Sequence, residues 1–370
     1  MKIAMIGHKR IPSREGGIEI VVEELSTRMV QKGHQVDVYN RKGKHVAGSE
    51  FNMKKIKEYN GVRIITIPTF EKKSLNAIVY SFFATIRALF GKYDVIHYHA
   101  EGPCVMLPIA HFFGKRCVAT IHGLDWQRSK WGGFATKILL HGEKMAAKYA
   151  DEVIVLSENV KKYFKDTYNR DVVYLVNGVN IPDILPDDII SEKFGVKEGE
   201  YILFLARIVP EKGLHYLINA FMATDTDKKL IIAGSPSHSK DYYDEMRELA
   251  SKDDRIKFIG FVQGDELKQL FSNCFLYVMP SDVEGMPISL LEALSYGRRC
   301  LVSDIPENVE ATKEYAVTFK HSDVEDLKKM LAQCLKEEYV FHKECVNFVR
   351  EKYYWDTIAD ATLELYSGEY

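Results

Sequence analysis

Apolar residues recur along this 370-residue chain in two alternating rhythms. Short apolar runs bounded by Gly, Asn or Asp read as buried strands. Longer stretches with apolar positions three and four apart read as helices. The first run, residues 2–6, ends at a polar, glycine-bearing loop from Gly7 to Gly17. Residues 18–31 follow as a helix with Ile18, Val21, Val22, Leu25 and Met29 on one face, and 34–39 as a second strand. Strand, loop, helix and strand make a βαβ unit. Further strands are predicted at 62–67, 94–98, 117–121, 152–156 and 172–176, with a basic, aperiodic excursion over 40–60 and a mostly apolar helix at 75–90. The turn signal Asn177-Gly178-Val179-Asn180-Ile181-Pro182 marks a domain boundary. A second alternating series starts at 201–205 and continues through 230–233, 256–259, 275–279 and 300–302. The stretch 348–366 reads as one helix with Tyr354 and Trp355 inside it. The fold class is α/β: two Rossmann-like domains, each a parallel sheet with ligands at the carboxyl ends of its strands.

Pro280 to Gly297 adds chemistry to that pattern. Glu284 sits in a loop before Gly285, and Pro287 suits the first turn of a helix, where its missing N–H would be unpaired anyway. Ile288, Leu290, Leu291 and Leu294 give that helix an apolar face, Glu292 lies within it, and Gly297 suits its end. Free backbone N–H groups at such a start favour an anionic or oxygen-rich ligand. Asp282-Val283-Glu284 has acidic spacing and is read as part of this site in preference to a metal motif. Arg207 and Lys212-Gly213 place two cations and a glycine between the strand at 201–205 and the next helix. Arg suits a diphosphate through its planar fork, and Lys serves as a point charge.

In the first half, Gly16-Gly17 is either a tight turn or a place where a diphosphate approaches the backbone closely. The loop is not G-x-G-x-x-G and no acid is placed for a ribose, which argues against a dinucleotide-dependent dehydrogenase. His122 follows a predicted strand and precedes Gly123, so a site role is favoured over a structural one. The stretch from Asp125 and Trp126 through Trp131 is polar, aromatic and glycine-rich, and reads as a functional loop.

Composition sets the class. Hydrophobic residues make up 46% and charged residues 28%, which suits a chain that buries a sizeable core in two domains. No stretch of about 18 apolar residues lacks charge, so no spanning helix is expected. The chain runs straight from Met1 into a strand without the apolar region of a signal peptide. Six Cys with no C-x-x-C pair predict reduced, mostly buried thiols in a cytoplasmic protein. The net charge of −2 is unevenly placed: residues 1–178 hold 28 Lys and Arg against 17 Asp and Glu, and 179–370 hold 22 against 35. A first half at +11 beside a second at −13 predicts an anionic partner for the first. No RNA module or Cys/His finger points to nucleic acid, and an anionic membrane surface is preferred. For the helix at 75–90, core packing is preferred to insertion into a lipid interface.

These motifs together carry a resemblance. They are Gly16-Gly17-Ile18-Glu19, Thr120-Ile121-His122-Gly123, Asn177-Gly178-Val179, Arg207 with Lys212-Gly213, and the E-x7-E element from Glu284 to Glu292. Over nearly its whole length the chain resembles a retaining GT-B glycosyltransferase of family 4. The run from His122 to Gly132 is also similar to bacterial polysaccharide rhamnosyltransferases, mainly over the first domain. The resemblance implies two Rossmann-like domains facing a cleft, with a C-terminal helix crossing back, so that residues 1–178 plus about 354–370 form the acceptor-side domain and 179–353 the donor domain. It implies a nucleotide-diphospho-sugar donor, dTDP- or UDP-linked, and the finer similarity implies rhamnose as its sugar. Arg207 and Lys212 would hold the diphosphate with help from Gly16 and Gly17, and Glu292 would hold the ribose. Glu284 and the backbone N–H groups of Gly285, Met286, Pro287 and Ile288 would hold the sugar. His122 would sit at the reactive end, making a catalytic set with Glu284, Arg207 and Lys212, while His8, Arg10, Asp125 and Trp126 would lie on the acceptor side. No metal or other cofactor is implied. The acceptor would be a saccharide or polyprenyl-diphosphate-linked sugar, in cell-surface polysaccharide synthesis at the inner face of the plasma membrane. An epimerase or phosphorylase on the same fold, and a non-catalytic sugar-nucleotide binder, stand as alternatives.

Overall fold

A computed structural model describes residues 1–14, 16–42, 56–69, 73–127, 133–236 and 239–368, with the side chains of 73–75 excepted. Much of the excursion at 40–60, and Arg128 to Gly132 of the aromatic loop, lie outside the described residues. The chain divides into two compact units, Met1–Gly178 with Trp355–Tyr370, and Val179–Tyr354.

The first unit holds eight strands: β1 (Lys2–Ile6), β2 (Gln35–Arg41), β3 (Glu58–Tyr59), β4 (Val62–Ile67), β5 (Val95–His99), β6 (Arg116–Ile121), β7 (Glu152–Val155) and β8 (Val173–Tyr174). Their order is β3-β4-β2-β1-β5-β6-β7-β8, parallel except where β3 meets β4. Period-two alternation divides the strand residues between two layers. Ala4, Ile6, Ile96, Tyr98, Ala119 and Ile121 share a core with Tyr80, Ala84, Leu107, Ala146 and Phe164. Those partners come from the helices Lys73–Leu89, Leu107–Phe112, Phe134–Tyr149 and Glu158–Tyr168. On the opposite face, Tyr366 of the helix Trp355–Ser367 reaches His97 of β5 (O–Nδ1 2.5 Å). That returning helix lies beside the helix Gly17–Gln31, with ion pairs Arg28–Asp356 and Lys32–Asp360 at 2.8 Å each. Gly178 makes room for it: a Cβ there would lie 2.4 Å from the fully buried Trp355 ring.

The second unit holds β9 (Tyr201–Leu205), β10 (Lys229–Ala233), β11 (Ile256–Gly260), β12 (Leu276–Met279), β13 (Cys300–Ser303) and β14 (Val317–Phe319). They pair in parallel in the order β11-β10-β9-β12-β13-β14. In each unit the chain builds outward one way from a central strand, then crosses to build the other way. The reversal falls between β1 and β5 and between β9 and β12. In open α/β sheets the crevice at that point, beyond the carboxyl ends of the strands, is where ligands bind.

Four sequence expectations change. The helix expected over 348–366 is two, Lys343–Lys352 and Trp355–Ser367. They part at Tyr353, whose carbonyl accepts the Val179 N–H at 2.7 Å and whose hydroxyl donates to Ala311 O at 3.0 Å. The strand expected at 172–176 shrinks to two residues, β8. Edge strands β3 and β14 were not predicted, having too few apolar residues to stand out. Pro287 caps its helix, Ile288–Ser295, from outside the first turn. All six Cys are buried and free. Among the described residues no helix is long and apolar enough to cross a membrane.

Candidate active site

Both cation and carboxylate motifs of the second unit lie at its topological switch. The loop after β9 carries Arg207 and then a short turn, Pro210–Lys212. The loop after the neighbouring β12 carries Glu284 and leads into the helix Ile288–Ser295. Gly213 lets the two loops touch: its φ is +65°, and a Cβ would lie 1.9 Å from Pro280 O. That contact brings Lys212 Nζ to 2.5 Å from Glu284 Oε1, with both side chains largely buried. Arg207 is half-buried and has no ion pair or side-chain hydrogen bond among the described residues. The helix Ile288–Ser295 offers its first N–H groups, which lack intrahelical acceptors, near Glu284. Pro287 has no N–H, so the expected row of donors at 285–288 is Gly285, Met286 and Ile288. Glu292 is half-buried within that helix. Asp282 is directed elsewhere, its Oδ1 taking His321 Nε2 at 2.7 Å and Ser322 Oγ at 3.3 Å. No group of three or more His, Cys, Asp or Glu suited to a metal ion occurs among the described residues.

The first unit places its candidates around its own switch. His122 follows β6 and is half-buried, with Nε2 at 3.1 Å from His99 Nδ1 at the end of β5. Gly16 caps the helix that Gly17 opens, in an extended conformation. Arg10 is half-buried in the loop after β1. His8 lies inside that loop, 1% exposed, with Nε2 at 2.9 Å from Asn40 Oδ1. Burial pulls its pKa down to about 4, so it is neutral and serves the loop's architecture. Asp125 and Trp126 stand in a short turn, Asp125–Gln127.

That turn rests on two acids that the sequence did not single out. Asp125 N donates to Glu101 Oε1 at 3.2 Å, and Trp126 Nε1 to Glu143 Oε2 at 3.3 Å. Tyr163 and Tyr168 donate to Glu143 Oε1 at 2.8 and 2.5 Å. Burial, with the Asp125 and Glu143 carboxylates beside it, holds Glu101 protonated far above the usual carboxylate range. Gly142 permits the approach, since a Cβ there would lie 2.0 Å from Glu101 O. The one sequence signal was position: Glu101 comes three residues after the strand predicted at 94–98, and between them Ala100 takes φ +72°.

Residues 15–182 match the family described as Glycosyltransferase Family 4, and residues 187–355 the family described as Glycosyl transferases group 1. The chain belongs to these glycosyltransferases. Across 99% of its length this glycosyltransferase is 27% identical to an uncharacterised glycosyltransferase of Methanocaldococcus jannaschii, covering 98% of that protein. Over 59% of each chain it is 26% identical to the UDP-Gal:alpha-D-GlcNAc-diphosphoundecaprenol alpha-1,3-galactosyltransferase of Escherichia coli. Its fold matches the crystal structure of Anabaena HepE in complex with UDP and glucose, with a TM-score of 0.81, 18% identity and full coverage of both chains. The glycosyltransferase thus has the two Rossmann-like units of the GT-B fold.

Proposed function

We propose that this glycosyltransferase transfers a sugar, with retention, from a nucleotide-diphospho-sugar to a lipid-linked or saccharide acceptor in polysaccharide or glycolipid synthesis. The carrying observation is the Lys212–Glu284 pair at the β9/β12 switch, with Arg207 in the same loop as Lys212 and without an ion pair among the described residues. Apart, these groups would each need water; together they hold one another ready for a ligand of mixed charge. A diphosphate draws Lys212 and Arg207 to its oxygens. Glu284 is then released to accept hydrogen bonds from sugar hydroxyls, and Glu292 takes the ribose. Gly16 and Gly17 lend backbone N–H groups to the diphosphate. In transfer, the bond from the anomeric carbon to the diphosphate oxygen breaks as the acceptor oxygen bonds to the same face of that carbon. The acceptor proton goes to the departing diphosphate. Cations fixed where that negative charge develops stabilise the transition state more than the ground state, which is the work a metal does in other transferases.

The relative from Escherichia coli is named for a lipid-diphosphate acceptor and the Anabaena structure holds UDP, which supports this donor and acceptor class. For the sugar itself, rhamnose from its dTDP form is our reading, on the resemblance of the run beginning at His122. His122 is assigned to the reactive end of the donor sugar, and Arg10, Asp125 and Trp126 to the acceptor side. The test is a panel of dTDP-, UDP- and GDP-sugars offered with polyprenyl-diphosphate sugars. One donor should release nucleoside diphosphate only when acceptor is present, with the product's anomeric configuration matching the donor's. Glu284→Ala should abolish that release in a folded protein. No donor binding at millimolar concentration would end this reading, and donor conversion without acceptor would point to an epimerase.

A further inference from the structure

The amino ends of β1, β2, β4 and β5 form the edge of the first sheet opposite its catalytic one. A cavity of about 550 Å³ opens there, against the end of the helix Lys73–Leu89, and its size is that of a small-molecule site. Among the described residues, Lys2, Arg63, Arg87 and Lys92 line it with one acid, Asp37. Five residues of β1, about 17 Å at the usual rise of a strand, separate it from the carboxyl edge.

The fold satisfies Asp37 without calling on all four cations. Asp37 is 4% exposed, and its Oδ2 accepts the Tyr93 hydroxyl. The Tyr39 and Tyr93 hydroxyls meet at 3.0 Å; because the Tyr93 proton goes to Asp37, Tyr39 donates to Tyr93. Burial raises the pKa of both phenols, so they stay neutral donors. Arg63 Nη1 lies 3.5 Å from Asp37 Oδ2, one long contact that leaves the rest of a 60% exposed side chain open. Lys2 Nζ donates to Gly91 O at 2.7 Å and stands 5.0 Å over the Tyr93 ring, while Asp94 takes the Lys2 backbone N–H and not the ammonium. Arg87 and Lys92 form no hydrogen bond, ion pair or ring contact among the described residues.

The turn that carries Lys92 is shaped around this cavity. Gly91 lets Tyr93 pack beneath it, since a Cβ there would lie 2.0 Å from the ring. Lys92 takes φ +53°, a region open to glycine that costs a lysine about 1 kcal/mol. Four cations against one acid give the lining a charge of +3, and like charges gathered in one cavity repel until an anion joins them. Two guanidinium forks suit the oxygens of a phosphate, and two ammonium groups add point charge. Phe90, 82% exposed, and Ile65 give the same cavity an apolar wall, which a bare ion would not use and an ester would.

We propose that this cavity binds a phosphate ester through Lys2, Arg63, Arg87 and Lys92, with Phe90 against its organic part. The ester is a free small molecule or the headgroup of a lipid. The site is separate from the one assigned to the sugar donor, and none of its residues belongs to that reading.

The test is isothermal titration of the full-length protein, at low salt, with two dissolved probes that share one phosphate. These are glycerol 3-phosphate and its diacyl form, monomeric dihexanoylphosphatidic acid. At least one should bind, and Arg87→Gln with Lys92→Gly should weaken it at least ten-fold, the loss of two charge-assisted contacts. Arg87 is exposed and Lys92→Gly relieves a strained φ, so this variant should melt no lower than wild type. Arg207→Gln, which alters the donor site alone, should leave the affinity unchanged. Equal affinity for the two probes assigns the cavity to a soluble ester, and tighter binding of the dihexanoyl form assigns it to a lipid headgroup. No binding of either probe at millimolar concentration, a smaller loss in the double variant, or a loss in Arg207→Gln instead would overturn the proposal.

Discussion

Lys212 and Glu284 sit where neither charge has much water, at 16% and 7% side-chain exposure. Removing one partner of such a pair leaves the other ion stranded, at a cost on the order of 3 kcal/mol. Lys212→Met should therefore lower the stability of the protein by about that amount in denaturant unfolding, besides abolishing donor binding. A loss below about 1 kcal/mol would mean that water reaches Glu284 freely. Gly213 is the residue that sets their distance. Gly213→Ala must hold an unfavourable φ and drive a methyl into Pro280 O, so the two loops should separate at a cost of about 2 kcal/mol. The measurable consequence is a donor KM raised at least ten-fold while the sheet below stays folded by circular dichroism. Gly213 was legible in the sequence as part of a Lys-Gly motif, but its physical task was not. Nothing local to residues 207–213 says that Pro280 will lie against them. His8 shows the same gap from the other side: a polar loop residue by its neighbours, it is buried because Asn40 of β2 takes its ring nitrogen.

At the level of elements, strand rhythm was readable wherever both faces are covered, because the sequence is then continuously apolar. β9 and β12 are such strands. Edge strand β14 has one buried residue, Phe319, and gave no such signal. The break at Tyr353 comes from a hydrogen bond to Val179, far away in sequence, and periodicity cannot see it. The region around β5 and the loop after β1 carries a pH response with two opposed limbs. Burial lowers His8 to about 4 and His97 to about 3 from an ordinary 6.5. Below pH 6.5 the unfolded chain binds protons these histidines refuse in the fold, so their contribution is whole above 6.5 and is lost as pH falls toward 4. Glu101 runs the other way. Its folded pKa is raised above 4.5, so its contribution is whole below that value and shrinks as pH rises and the unfolded carboxyl ionises first. Glu101→Gln keeps an acceptor for Asp125 N and cannot ionise. Its melting temperature should match wild type near about pH 4.5 and exceed it by a growing margin toward alkaline pH. A margin that does not change with pH would show that Glu101 is ionised in the fold.

Across the whole chain, the charge split becomes more specific once the units are known. The returning segment 355–370 brings four acids and no base to the first unit, reducing +11 to +7. Two of those acids, Asp356 and Asp360, are spent on Arg28 and Lys32. Those two pairs neutralise the face under the returning helix, opposite the layer built by the helices Lys73–Leu89 and Leu107–Phe112. That opposite layer also exposes large aromatics. Phe82 and Phe83 on the helix Lys73–Leu89, and Phe112 and Phe113 at the end of Leu107–Phe112, are between 41% and 85% exposed. The inner face of the helix Lys73–Leu89 packs in the core through Tyr80, Ala84 and Ala88, as expected of a soluble helix, yet its outer face is apolar too. Aromatics beside Arg87 and Lys115 suit an interface of anionic lipid, where rings enter the headgroup region and each cation adds about 1 kcal/mol. Such a surface would bring the enzyme to a lipid-linked acceptor. The protein should co-sediment with phosphatidylserine-containing vesicles at low salt and much less with neutral ones. The attraction should fade as salt shortens the screening length to about 10 Å at 0.1 M. Each ring withdrawn from water contributes about 2 kcal/mol, so Phe82→Ser with Phe112→Ser should weaken partitioning at least ten-fold without changing turnover on a soluble acceptor. Equal binding by wild type and this double variant would assign the basic excess of the first unit to some other anion, and no binding at low salt would remove the membrane from the picture.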